Sequence, residues 1–191
     1  YRKPFLLQEG GADDDHGEKI GISYNSTDRT IVRKYVWKWM MAKNQLIDIY
    51  QKALAEGWPD NYDPVGHSEF EGDALVLRAF WNSLTDYGNL GCVGEVAGGP
   101  GYRQMVLSSR KEAVIYMASR MGEIGTVYRV EPLSLRRLAL EDGNYTAEVW
   151  NPAGDTGFIG RQKVKVNDGS AAIRLPSFED DLVVHLLRPS R

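Results

Sequence analysis

The chain has 191 residues, 42% of them hydrophobic, 26% charged and 10% aromatic, enough for one large or two small packed domains and too apolar for wholesale disorder. Its net charge of -3 and scattered basic residues offer no field to draw in phosphate backbones, which argues against nucleic acid as a partner. No apolar run reaches the ~18 residues of a membrane span, so no membrane partner is expected, and the single cysteine, Cys92, excludes an internal disulfide framework and a Cys-rich metal site while leaving the compartment open.

The chain opens on Tyr1 with no apolar leader, as expected for a piece of something longer or for a chain from which a tag was removed. Phe5-Leu6-Leu7 is a continuous apolar run, the pattern of a strand covered on both faces, and it runs into Glu9 and Gly10-Gly11. Residues 12 to 26, with Asp13-Asp14-Asp15-His16, read as a long loop. Ser26, Thr27 or Asp28 can cap a helix carrying Ile31, Val32, Tyr35, Val36, Trp39 and Met40 at spacings of three and four. Residues 46 to 50 fit either a continuing helix or a short strand. A Pro- and Gly-rich loop over 57 to 67 precedes a second helix, opened by the capping-box pattern Ser68-Glu69-Phe70-Glu71 and closed by Gly88. Six glycines and Pro100 between residues 88 and 101 read as a linker.

Beyond it the apolar period switches to two. Strands are predicted over 112–118, 125–129, 144–150, 158–166, 171–175 and 182–187, with turn residues between them, the pattern of a small antiparallel sandwich or barrel. Asp168-Gly169 predicts a tight hairpin, because type I′ turns need positive φ at both central residues. The predicted division is 1–101 and 102–191, and residues 105–191 are expected to fold as a unit.

Two motifs resemble a known arrangement. Lys3-Pro4-Phe5-Leu6-Leu7-Gln8-Glu9-Gly10-Gly11 resembles the strand of retaining glycoside hydrolase barrels that carries the nucleophilic glutamate. Tyr145-Thr146-Ala147-Glu148-Val149-Trp150-Asn151-Pro152-Ala153-Gly154, with Leu175-Pro176-Ser177-Phe178 before the final strand, is similar to the sandwich of the collagen-binding-domain type that follows glycoside-hydrolase-like barrels. The fold this resemblance implies is α+β: a helix-rich remnant of a (β/α)₈ barrel followed by a small antiparallel β-sandwich. A complete barrel needs about 250 residues, so only its last quarter is implied.

The resemblance also implies Glu9 as a catalytic nucleophile, at the C-terminal end of a strand where barrels place their chemistry; a solvated carboxylate at a strand end is the alternative. Retention requires a second carboxyl about 5 to 5.5 Å away, expected on an earlier strand outside this chain. Asp48 and Tyr50 would bind substrate if they end the last barrel strand, although a helix surface suits them equally, and Trp58 is a third substrate-binding candidate. Asp13-Asp14-Asp15-His16 lacks the alternating spacing that turns ligands toward one centre, so it reads as a solvated acidic loop and no metal is expected. His185, inside an apolar strand, reads as a packed or edge histidine.

Tyr116, Tyr128, Tyr145, Trp150 and Phe158 are the aromatics available for stacking on sugar C–H faces, with Trp150 expected instead to anchor the sheets. Nothing resembles a Ser-His-Asp set, a P-loop or a dinucleotide fingerprint, and no cofactor is expected. The sequence therefore points to the C-terminal portion of a secreted or cell-surface glycoside-hydrolase-like protein acting on poly- or oligosaccharide. Such a portion would be inactive alone, its apolar surface seeking an upstream barrel segment or a partner chain. The alternative is a non-catalytic module binding carbohydrate or a matrix protein.

Overall fold

The computed structural model describes residues 6–7, 12–13, 19–20, 29–42, 46–47, 64–97, 102–120, 123–129, 132–153 and 157–189. Short strands come first: β1 (Leu6–Leu7), β2 (Ala12–Asp13) and β3 (Lys19–Ile20). Next are helix α1 (Arg29–Met41), strand β4 (Leu46–Ile47) and helix α2 (Pro64–Ser83). A 3₁₀ turn at Tyr87–Asn89 leads into β5 (Glu95–Ala97), β6 (Arg103–Ser108), β7 (Glu112–Ala118), β8 (Val127–Tyr128) and β9 (Leu133–Arg136). The chain finishes with β10 (Gly143–Trp150), β11 (Phe158–Val166), β12 (Ala171–Ile173), β13 (Phe178–Glu179) and β14 (Asp181–Leu187).

A five-stranded sheet ordered β11-β10-β14-β7-β6 faces a three-stranded sheet ordered β12-β9-β5, and every pairing in both is antiparallel. Between them lies the main core, in which Ile115, Met117, Leu182, Val184, Tyr145 and Val164 meet Val96, Leu133, Leu135 and Ile173. The outer face of the larger sheet is covered as well. Leu107, Val114, Tyr116 and Val183 pack under Trp37 and Met41 of α1 and Phe80 of α2. Trp37 stacks on Tyr116 at 5.8 Å between centroids and meets Phe80 edge-on at 5.1 Å. The molecule thus has three layers, and β7, beside the central strand β14, is buried along its whole length.

This overturns the helix-rich first half and the barrel remnant. The described residues are mostly β, with two α-helices, and antiparallel sheets dominate. The periodicity did locate both helices; what they cover is the sandwich itself. Glu112–Ala118 and Asp181–Leu187 are near-continuous apolar runs, the mark of strands covered on two faces, so they need a third layer. β1 and β4 do pair in parallel, Leu6 with Leu46 and Leu7 with Ile47, but each is two residues long.

Smaller differences have local causes. α2 begins at Pro64, whose missing N–H suits a first helical position, rather than at Ser68. It ends at Ser83, five residues before Gly88. Within the stretch read as loop, β2 pairs with β3. Within the stretch read as linker, β5 is an edge strand of the smaller sheet.

The Asp168-Gly169 turn forms as expected, with φ of 47° and 63°, closed by the Asn167–Ser170 bridge. It carries the chain from the larger sheet to the smaller. A Cβ on Gly169 would sit 2.7 Å from the Leu138 carbonyl oxygen, so both backbone angle and space select glycine there. Two glutamines span the flanks of the sandwich. On β11, the Gln162 amide donates to the Arg174 carbonyl and accepts from the Arg174 N–H, at 2.5 and 3.2 Å. On β6, Gln104 donates to the Val96 carbonyl of β5 at 3.0 Å.

Candidate functional site

The residues predicted to carry chemistry, Glu9, Asp48, Tyr50 and Trp58, lie outside the described residues, as do Asp14, Asp15 and His16. Of the five aromatics, Tyr116 and Tyr145 are buried, and Tyr128 packs against Phe178 and Tyr102. Trp150 does not join the inter-sheet core. It lies half-buried on the outer face, edge-on to Phe80 at 5.6 Å and to Phe158 at 5.4 Å. Phe158 alone of the five is open, 38% exposed, with the Arg161 guanidinium over its ring.

Among the described residues, the buried charged groups collect where the helices meet the larger sheet. His185 sits in the central strand β14, fully buried, and one ring nitrogen, Nε2, lies 2.6 Å from Glu112 Oε1 of β7. Glu112 also accepts the N–H groups of Thr85 and Asp86, just beyond α2. Burial alone would raise the Glu112 carboxyl, but the bonds from His185 and these two amides hold it below the usual glutamate range. The other His185 nitrogen, Nδ1, has no hydrogen-bond partner among the described residues and lies 3.7 Å from Glu148 of β10. Glu148 in turn accepts from Arg161 at 2.7 Å. A row of polar side chains therefore crosses the outer sheet face from an exposed arginine to a helix end.

Further ion pairs fasten α1. Arg33 Nη2 donates to Asp181 at 2.8 Å with Nε close behind at 3.1 Å, and the Tyr116 hydroxyl donates to the same carboxylate. Burial opposes the charge on Arg33, yet Asp181 and Asp73 together keep the guanidinium above its ordinary range. Burial pushes the Tyr116 hydroxyl well up, so it remains a donor. Asp73 of α2 receives both Arg29 and Arg33, tying the two helices together. Lys34 donates to Ser119 and the Glu123 carbonyl, with Asp180 3.5 Å away, and burial lowers its ammonium.

These groups resemble catalytic constellations in type but not in access. A glycosidase pair or a nucleophile-activating histidine must face a substrate, whereas His185, Glu112 and Asp181 are sealed beneath the helices, the first two bonded to each other and to backbone and the third to Arg33 and Tyr116. Their geometry fastens helix to sheet. Among the described residues no group of three or more His, Cys, Asp or Glu could hold a metal ion, and no helix is long and apolar enough to cross a membrane.

Open space lies at the opposite layer. A cleft of about 580 Å³ is bounded by Glu95 at the start of β5, Arg136 and Arg137 at the end of β9, and Asp168, Gly169 and Ser170 of the turn. Glu95 lies directly across the ladder from Arg136. Arg137 takes a left-handed φ of 55° and pairs loosely with Glu95 at 3.5 Å. In the sequence Arg136 and Arg137 count only among the scattered basic residues, and the turn signal at Asp168-Gly169 is the one pointer to this region. Compared with known proteins, the chain matches no family model, and no curated protein is a significant match.

Proposed function

We propose that this chain is a non-catalytic accessory portion of a carbohydrate-acting protein, a sandwich braced by two helices that presents its free layer to poly- or oligosaccharide. The observation that carries this reading is the division of polar groups between the two layers. On the helical side the carboxylates and the histidine are consumed in packing, while the far side holds an open, polar cleft lined by arginines, carboxylates and a hydroxyl. Hydrogen-bonding groups of both signs suit a polyhydroxylated ligand. The run from Tyr145 to Gly154 adds its resemblance to the sandwiches that accompany glycoside-hydrolase-like proteins.

The test is retention of the full chain on insoluble polysaccharides and on collagen, beside turnover of aryl glycosides by the chain and its Glu9→Gln variant. Retention on polysaccharide with no turnover is expected. Retention on collagen alone would replace the glycan with a matrix protein, and turnover lost in the variant would make the chain a catalyst.

A further inference from the structure

Taking the carbohydrate reading as its basis, we infer that the cleft between the end of β9 and the β11–β12 turn binds an acidic sugar residue, with Arg136 meeting its carboxylate or sulfate. The cleft contains two guanidinium groups of different standing. Arg137 is partly neutralised by Glu95. The Arg136 side chain is exposed and makes no ion pair or hydrogen bond among the described residues, so its five donors are free for a planar oxyanion. No aromatic lines the cleft, so stacking on a neutral sugar cannot carry binding there; charge and hydrogen bonds must.

The remaining wall suits the hydroxyls of the same sugar. The Asp168 carboxylate and the Ser170 hydroxyl oxygen, whose proton goes to the Asp168 carbonyl, offer acceptors on a turn whose geometry is fixed by the positive φ of Asp168 and Gly169 and by the Leu138 N–H bond to the Gly169 carbonyl. A single uncompensated cation among carboxylates gives modest, salt-sensitive affinity. Such a site favours a repeating acidic polysaccharide, which can rebind, over a free anion.

Affinity electrophoresis of the full chain in gels containing polygalacturonate, dextran sulfate or neutral hydroxyethyl cellulose tests this. Retardation by an acidic polymer is expected, falling with added salt, and the stronger of the two acidic gels identifies carboxylate or sulfate. Arg136→Gln should weaken it about tenfold, the loss of one charge-assisted contact. Arg136→Lys, which keeps the charge without the fork, should fall between. Both variants should melt with the parent chain, since Arg136 has no partner to lose. Retardation untouched by Arg136→Gln, or seen only in the neutral gel, would overturn the acidic-sugar site and leave the carbohydrate reading standing. No retardation in any gel would remove both.

Discussion

If α1 is fastened to the sandwich as described, breaking its buried ion pair must cost far more than a surface salt bridge does. Arg33 and Asp181 are 2.8 Å apart with side chains only 5% and 0% exposed. At an effective dielectric of about 20, that separation gives a gross attraction of about 6 kcal/mol. Desolvation of both ions offsets much of it, so the pair contributes little net stability relative to apolar residues of the same shape. Removing one partner is different. Arg33→Met leaves the Asp181 carboxylate buried with the Tyr116 hydroxyl and the neighbouring Lys34 charge, and should cost about 3 to 5 kcal/mol. Arg33→Met with Asp181→Val and Tyr116→Phe removes every orphaned group, while Asp73 keeps its two bonds from Arg29. That triple variant should return to within about 1 kcal/mol of the parent. Urea unfolding followed by tryptophan fluorescence measures both, since Trp37 reports on the same seam. A loss below about 1 kcal/mol in Arg33→Met, the size of an exposed pair, would mean that α1 does not rest on this sheet in solution.

Three other perturbations address the remaining layers. Phe80→Ala empties the contact between α2, Trp37, Trp150 and His185 and should cost about 3 to 5 kcal/mol in urea unfolding; a loss under about 1 kcal/mol would refute the docking of α2. Glu112 should make the chain acid-sensitive. Its folded pKa is depressed, so its contribution is complete above the ordinary glutamate value of 4.5 and disappears as pH falls through the lower folded value. Glu112→Gln should lower the urea midpoint at neutral pH and remove this part of the acid dependence; an unchanged dependence would refute the role of Glu112. The fragment 105–191, lacking β5 and both helices, should expose Leu107, Val114 and Tyr116 and bind a hydrophobic dye. A monomeric, dye-silent fragment as resistant to urea as the full chain would refute the need for the helical layer.

The strands were readable where their residues alternate or where a turn residue has a single solution. Phe158–Val166 falls where the pattern put it, and Asp168-Gly169 turns as its φ angles require. β9 was missed although Leu-Ser-Leu-Arg alternates, because the arginines and leucines that follow blur the end of the pattern. β5 was missed because three residues among glycines carry no period, and only the ladder to β9 makes them a strand. The three-layer arrangement is legible in the sequence: a strand such as Asp-Leu-Val-Val-His-Leu-Leu leaves no polar face for water. The His185 row could not be read in advance. Glu112, Glu148 and His185 lie far apart in sequence and meet through strand register alone. The cleft is equally a product of the fold, since Glu95, Arg136 and Ser170 converge only after the β11–β12 turn has changed sheets.

The glutamines at the two flanks bear on how this molecule behaves in a crowd. A sandwich of two open sheets has four edges, each a row of amide and carbonyl groups able to recruit a strand from another copy. Gln162 occupies both the N–H and the carbonyl of Arg174 just past β12, imitating a neighbouring strand with one side chain, and Gln104 does half the same for β5 at Val96. Lys163 and Lys165 stand exposed along β11, the long edge that no glutamine covers. Strand exchange between copies is thereby discouraged at three of the four margins, by amides on the small sheet and by charge on the large one.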